Sequence, residues 1–202
     1  LTLSLKGLAQ TLHDQRKKAC QTLVKRVNEE LSDLNMKDVV FSVEIKALSE
    51  VGPTGLSDIE FTTQSGKKDQ PRPLAKFASG GELSRILLAL KRTMGLSDLP
   101  RTFLFDEVDA GVSGMTAEMV GRKLKSIAKG QQVICITHLP QVAAFADHHF
   151  YIHKISKGQR TFMEVLPLAK KDERINEIAR LLSGEKVTKT SRDHAKQLLA
   201  VR

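Results

Sequence analysis

Leu1, Leu5, Leu8 and Leu12, then Leu23, Val27, Leu31 and Leu34, recur at spacings of three and four. That interval keeps apolar side chains on one stripe of a helix. The pattern predicts one long helix over residues 1–36, with a strongly polar middle from His13 to Ala19, ending at Met36-Lys37-Asp38. Such a helix is either the end of a coiled coil or an ordinary packed helix, and too few heptads are present to decide. Alternation follows. Val39, Phe41, Val43 and Ile45 fall on one face of a strand, and Ser42, Glu44 and Lys46 on the other. Gly52-Pro53-Thr54-Gly55 reads as a turn and Ile59-Glu60-Phe61 as a strand. Residues 64–76 carry Pro71 and Pro73, show no periodicity, and read as a loop.

Beyond that loop, strands alternate with helices. Helix 82–94, with Leu83, Leu87, Leu90 and Met94 as its core face, ends at Gly95. Strand 101–106 precedes helix 115–129, which ends at Gly130. Strand 132–137 leads to a short helix at 140–146 and a strand at 149–155 with a hairpin partner at 160–166. Two helices, 171–182 and 188–200, are separated by Ser183-Gly184. Phe103-Leu104-Phe105 and Val133-Ile134-Cys135-Ile136 are continuous apolar runs, expected of strands buried on both faces of a parallel sheet. The later part is therefore α/β, while the earlier part adds a helix and antiparallel strands.

Composition narrows the class. A hydrophobic share of 41% suits a globular domain, and no apolar run reaches the ~20 residues a membrane helix needs. The start, Leu1-Thr2-Leu3-Ser4-Leu5-Lys6, has neither an initiator Met nor a signal-peptide core, and reads as a fragment of a longer protein. Cys20 and Cys135 are expected to be free thiols of a reducing cytoplasm. Net charge is +9, spread over clusters such as Arg16-Lys17-Lys18, Lys25-Arg26 and Lys67-Lys68 without interleaved aromatics. That balance permits nucleic-acid contact without selecting it.

Four short motifs carry chemistry. Phe103-Leu104-Phe105 ends in Asp106-Glu107, at the carboxyl end of a strand, where open α/β sheets place ligands. An Asp there can hold Mg²⁺. The next carboxylate, pointing elsewhere, can orient or deprotonate an attacking water, and phosphoryl transfer needs both functions. A bare pair of this kind also serves as an ordinary helix cap. Ser79-Gly80-Gly81-Glu82 opens a helix, and its glycines let backbone N–H groups approach an anion. His138, after Thr137 and a strand, sits where an imidazole can reach a terminal phosphate, although a lone His is commonly structural. Asp109-Ala110-Gly111-Val112-Ser113-Gly114 is a polar loop just past the carboxylates. No G-x-x-x-x-G-K-[ST] phosphate loop occurs in the 202 residues.

In this order and on these elements, the motifs resemble the carboxy-terminal half of an ABC-type ATPase head. The long leading helix places the resemblance in the SMC-like branch, whose head halves are separated by a coiled coil. Within that branch, three segments resemble a bacterial recombination and repair family. They are Phe77-Ala78-Ser79-Gly80-Gly81-Glu82-Leu83-Ser84-Arg85, Phe105 through Gly114, and Ile136-Thr137-His138-Leu139-Pro140-Gln141-Val142-Ala143.

The resemblance implies residue roles. Asp106 would be the Walker B ligand of Mg²⁺, Glu107 the catalytic base and His138 the switch histidine. Ser79, Gly80 and Gly81, with Glu82 in the same signature, would contact the γ-phosphate of ATP held by a partner head, and Asp109, the D-loop residue, would also bind the nucleotide. Residues 1–36 would be the end of the coiled coil, and residues 37–202 the carboxy-terminal lobe of the ATPase head. Implied partners are the amino-terminal half of the head, which carries the Walker A loop, and a second copy of the head. Double-stranded DNA and single-stranded ends follow, and a recombinase is admitted; no membrane is involved, and the place of action is the bacterial nucleoid. The alternative is a DNA-binding or bridging module with no ATP turnover of its own.

Overall fold

The computed structural model of the protein describes residues 2–66, 69–76, 79–95, 99–158 and 160–200. The chain divides into two compact units, Leu1–Asp98 and Leu99–Arg202. The first unit begins with α1 (Thr2–Asp33), followed by the antiparallel strands β1 (Val39–Gly52) and β2 (Gly55–Ser65). Helix α1 ends where Asn35 turns left-handed at φ 58°. The Met36 N–H then bonds the Leu31 carbonyl at 3.0 Å and the Asn35 N–H bonds the Ser32 carbonyl at 3.1 Å. This closure satisfies two of the helix's last carbonyls.

The two halves of α1 differ in cover. Val27 and Leu31, with Leu34 just past the end of the helix, are buried, whereas Leu5 and Leu8 are 54% and 67% exposed. Each fully buried aliphatic side chain contributes about 1.5–3 kcal/mol, so the helix is anchored at its carboxyl end. Polar contacts add register. The Asn28 amide donates to the Phe41 carbonyl at 2.8 Å and its oxygen accepts the Phe41 N–H at 2.9 Å. One side chain thereby pairs the free edge of β1, which has β2 on its other side. At the hairpin tip, Arg16 donates to the Thr54 carbonyl at 2.6 Å and His13 Nδ1 lies 3.0 Å from Ser57 Oγ.

The stretch expected to be structureless, 64–76, holds a two-residue strand, β3 (Arg72–Pro73), paired antiparallel to Thr62 and Thr63 of β2, and a 3₁₀ turn at Leu74–Lys76. Two paired residues are too few to leave a periodic trace. Helix α2 (Gly80–Thr93) packs on α1, and Arg92 pairs with Glu30 of α1 at 3.2 Å. Its buried face is Gly81, Arg85, Ile86, Leu88, Ala89 and Leu90. Leu87 and Met94, expected in the core, are 41% and 67% exposed. Residues 86–90 are all apolar, so their spacing does not set the helix's rotation; packing does.

In the second unit β4 (Thr102–Phe105) and β5 (Gln132–Cys135) pair in parallel, Leu104 opposite Ile134. Helix α3 (Gly114–Ile127) crosses between them, and α4 (Pro140–Ala143) follows β5. The antiparallel hairpin β6 (Phe150–Lys157) and β7 (Arg160–Pro167) leads to α5 (Lys171–Ser183) and α6 (Lys189–Ala200). Ala143 of α4 clusters with Ile175, Ile178 and Ala179 of α5 and Ala195 of α6. Arg174 of α5 reinforces this by donating to the carbonyls of Ala144 and Ala146, just past α4. The expected burial of β4 and β5 on both faces is not found. Leu104, Ile134 and Ile136 share one face and are 66%, 47% and 51% exposed. Among the described residues of this unit no element covers that face of the two-stranded sheet, while Phe105 on the other face is buried. Parallel pairing among the described residues is confined to β4 and β5; the other two sheets are antiparallel.

Gly121 marks the tightest approach in this unit. A Cβ built there would lie 2.2 Å from Phe145 Cδ2. Replacement Gly121→Ala should therefore destabilise the fold by about 1–3 kcal/mol, the usual cost of overpacking. Equilibrium denaturant unfolding measures it, and an unchanged midpoint would show that Phe145 is free to move away.

Candidate functional site

Parallel pairing decides where the carboxylates go. Both strands leave the sheet at the same edge, and the ladder extends one bond further, from the Ile136 N–H to the Phe105 carbonyl at 3.0 Å. Asp106 and Glu107 thus follow β4, and Thr137 and His138 follow β5, at a common rim. Asp106 and Glu107 are both exposed. The Glu107 N–H donates to Asp106 Oδ1 at 2.9 Å, and the Glu107 carbonyl accepts the Ala110 N–H at 3.0 Å. Glu107 itself is left-handed at φ 55°. A residue with a Cβ stores roughly 1–3 kcal/mol there and holds the position only when its surroundings impose it. The hydrogen bonds of its N–H and its carbonyl impose it.

Asp109 behaves differently from its neighbours. Its side chain is 3% exposed. Oδ2 accepts the Thr137 hydroxyl and, at 3.3 Å, the His138 N–H. His138 Nδ1 lies 3.6 Å from the same oxygen, although the His138 side chain is 75% exposed. The Thr137 hydroxyl in turn accepts the Leu139 N–H at 3.0 Å. Sequence reasoning put Asp109 at the nucleotide and assigned Thr137 nothing. The signal for Thr137 was a hydroxyl directly before a strand-end histidine, but its partner could not be read from spacing.

In the first unit, Ser79 is the N-cap residue of α2 and makes no side-chain cap bond; its carbonyl accepts the Leu83 N–H at 2.9 Å. Ser79 and Gly80 are exposed, Gly81 is buried, and Glu82 is half-buried in the first turn, where a carboxylate favours the positive helix end. The start of α2 is thus without a side-chain cap of its own. Phe77 and Ala78, which open the motif in the sequence, lie outside the described residues.

The donor set at the β4 rim suits a hard divalent cation. Asp106 is exposed, with Oδ1 accepting the Glu107 N–H, and among the described residues no cluster of three or more His, Cys, Asp or Glu side chains could hold a metal alone. Mg²⁺ is commonly held by one or two carboxylates plus phosphate and water.

The fold matches part of an Smc head domain. It aligns with the Smc head domain with a coiled coil and joint from Pyrococcus yayanosii, at 19% identity and TM-score 0.54, over 84% of this chain and 30% of that one. The Smc head with an extended coiled coil from Pyrococcus furiosus, bound to the C-terminal domain of ScpA, aligns at 19% identity and TM-score 0.52, over 85% of this chain and 41% of that one. No family model matches the chain. Among curated proteins, the DNA repair protein RecN of Halalkalibacterium halodurans is 40% identical over 98% of this chain and 36% of its own length. RecN of Streptomyces coelicolor is 39% identical over 98% and 37%, and that of Bacillus subtilis 38% over 91% and 34%. Over nearly its whole length the chain is similar to these RecN proteins, and it spans about a third of their length.

Both cysteines are free. Burial, then the nearby carboxylates of Asp109 and Asp106, push the Cys135 thiol up to about 12 from 9.0. At neutral pH it is a protonated, unreactive thiol. An alkylating reagent at pH 8 should leave Cys135 unmodified in the folded Cys20→Ser variant and label it once unfolded; mass spectrometry reads the difference. An unfolded thiol ionises near 9.0, so this group's share of stability is intact below that pH and declines as pH climbs towards about 12.

Proposed function

We propose that this chain is the carboxy-terminal half of the ATP-hydrolysing head of a RecN-type DNA repair protein. The observation that carries the proposal is the shared rim at which Asp106, Glu107 and His138 stand exposed while the carboxylate between them in sequence, Asp109, is buried. The open apolar face of Leu104, Ile134 and Ile136 supports it, because a sheet face of this kind calls for another layer. The amino-terminal half of the head, bearing the Walker A loop and the bound ATP, would provide that layer.

The chemistry follows from the residues. Asp106 would hold Mg²⁺, whose charge offsets that building on the transferred phosphoryl group. Glu107 orients the attacking water and takes its proton. His138 lies on the neighbouring loop at the same rim and donates a hydrogen bond towards the terminal phosphate. Ser79, Gly80 and Gly81, at the uncapped start of α2, present a hydroxyl and backbone N–H groups to a γ-phosphate held by a second head. Each nucleotide is then enclosed between two heads related by two-fold symmetry. Pairing and release of the heads would govern DNA tethering at breaks, in the cytoplasm at the nucleoid.

A second reading, direct DNA contact by this segment, has its own support. Net charge is +9, and Lys17, Lys18, Lys25 and Arg26 are exposed along α1. Duplex binding that weakens steeply with salt would be its signature.

In the full-length protein Glu107→Gln should lower steady-state ATP turnover by roughly 10²–10⁴-fold while leaving ATP-driven head pairing intact. Turnover near the unmodified rate would remove Glu107 from the role of base. Isothermal titration of the 202-residue chain alone should show no ATP binding; micromolar affinity would mean that a phosphate site exists within it.

A further inference from the structure

We infer that Asp109 and Thr137 form an internal latch that positions His138, rather than Asp109 serving as a ligand for nucleotide. The inference rests on the reading of the rim as a phosphoryl-transfer site. Asp109 lies four residues past the end of β4, and Thr137 two past the end of β5. One carboxylate oxygen joins the two loops, accepting the Thr137 hydroxyl and the His138 N–H. The Thr137 hydroxyl then accepts the Leu139 N–H. The peptide N–H groups on both flanks of the His138 side chain, its own and that of Leu139, are thereby tied to one buried point.

Two physical arguments make this a positioning device. A buried carboxylate is stable only when its oxygens are hydrogen-bonded, so loss of Thr137 leaves Asp109 under-satisfied and loosens the loop. An anion turned inward and engaged by its own unit is also a poor contact for phosphate, which it would repel. The His138 ring needs such a latch because, at 75% exposure, packing does not fix it. With the main chain held and the same carboxylate oxygen 3.6 Å from Nδ1, the imidazole keeps Nδ1 towards Asp109, leaving Nε2 to face the rim. Any movement of the loop after β4 is then transmitted to the histidine after β5.

The test uses the full-length protein and steady-state ATP hydrolysis. Thr137→Val keeps the side chain's shape and removes the hydroxyl; Thr137→Ser restores it. Thr137→Val, which removes the hydrogen bond, and Asp109→Asn, which removes the charge on its acceptor, should each lower kcat about ten- to hundredfold, the scale of a hydrogen bond to a charged group. KM for ATP should stay within about twofold, because the bond acts on the reacting geometry and not on binding. Thr137→Ser should restore at least half of kcat. Adding Thr137→Val to His138→Ala should cost little beyond His138→Ala alone, because the latch acts through that ring. Equal kcat for Thr137→Val and the unmodified protein, or a full additional loss in the His138→Ala background, would overturn the latch. If Glu107→Gln and His138→Ala both turn over at the unmodified rate, the reading of the rim fails first and the latch with it. Thermal unfolding of each variant accompanies the assay; a fold-wide loss in Thr137→Val that Thr137→Ser does not reverse would also overturn the proposal.

Discussion

Parallel pairing of β4 with β5 is the constraint on which the second unit depends. Two parallel strands must be joined by a crossover, and α3 supplies it. Both strands then finish at the same edge, so the carboxylates after β4 and the histidine after β5 are brought together although more than thirty residues separate Asp106 from His138 in the chain. An antiparallel pair would send them to opposite edges. The buried Asp109 carboxylate completes the arrangement, because its hydrogen bonds tie the first loop to the second where the backbone ladder stops.

The first unit solves a different problem. A 32-residue helix with Leu5 and Leu8 exposed must be fixed further along its length. The hairpin tip grips it near Arg16, Asn28 pairs the edge of β1, and α2 closes on it through Glu30 and Arg92. The start of α2, with Ser79 and Gly80 exposed, is therefore carried by a helix anchored directly to α1. Rigid support of this kind is what a donor cluster needs if its N–H groups are to meet an anion without reorganisation.

Most elements were legible because their signals are local. The β1 alternation, the glycine stops after α2 and α3, and Pro140 at the start of α4 each act within a few residues. The departures share a cause as well. The five apolar residues Ile86–Leu90 fit several rotations of α2, and only contact with α1 chooses one. Phe103-Leu104-Phe105 reads as doubly buried because its composition suits a central strand, yet the unit leaves Leu104 uncovered. No local cue marks β3, whose two residues, Arg72 and Pro73, are recruited by pairing with β2.

The order of chemical groups along the chain belongs to the sequence: a glycine-opened helix, an apolar strand ending in Asp106-Glu107, a polar loop, and Thr137-His138 after a second strand. That order accompanies 38–40% identity to RecN proteins. Which carboxylate faces outward was decided only by tertiary structure. Asp106, Glu107 and Asp109 are alike in charge and lie within four residues of one another, but a hydroxyl and an N–H from the loop after β5 draw Asp109 inside and leave the other two at the rim. Hydrogen-bond partners that distant in the chain exist only once the two strands have paired, which is why spacing alone could not reveal them.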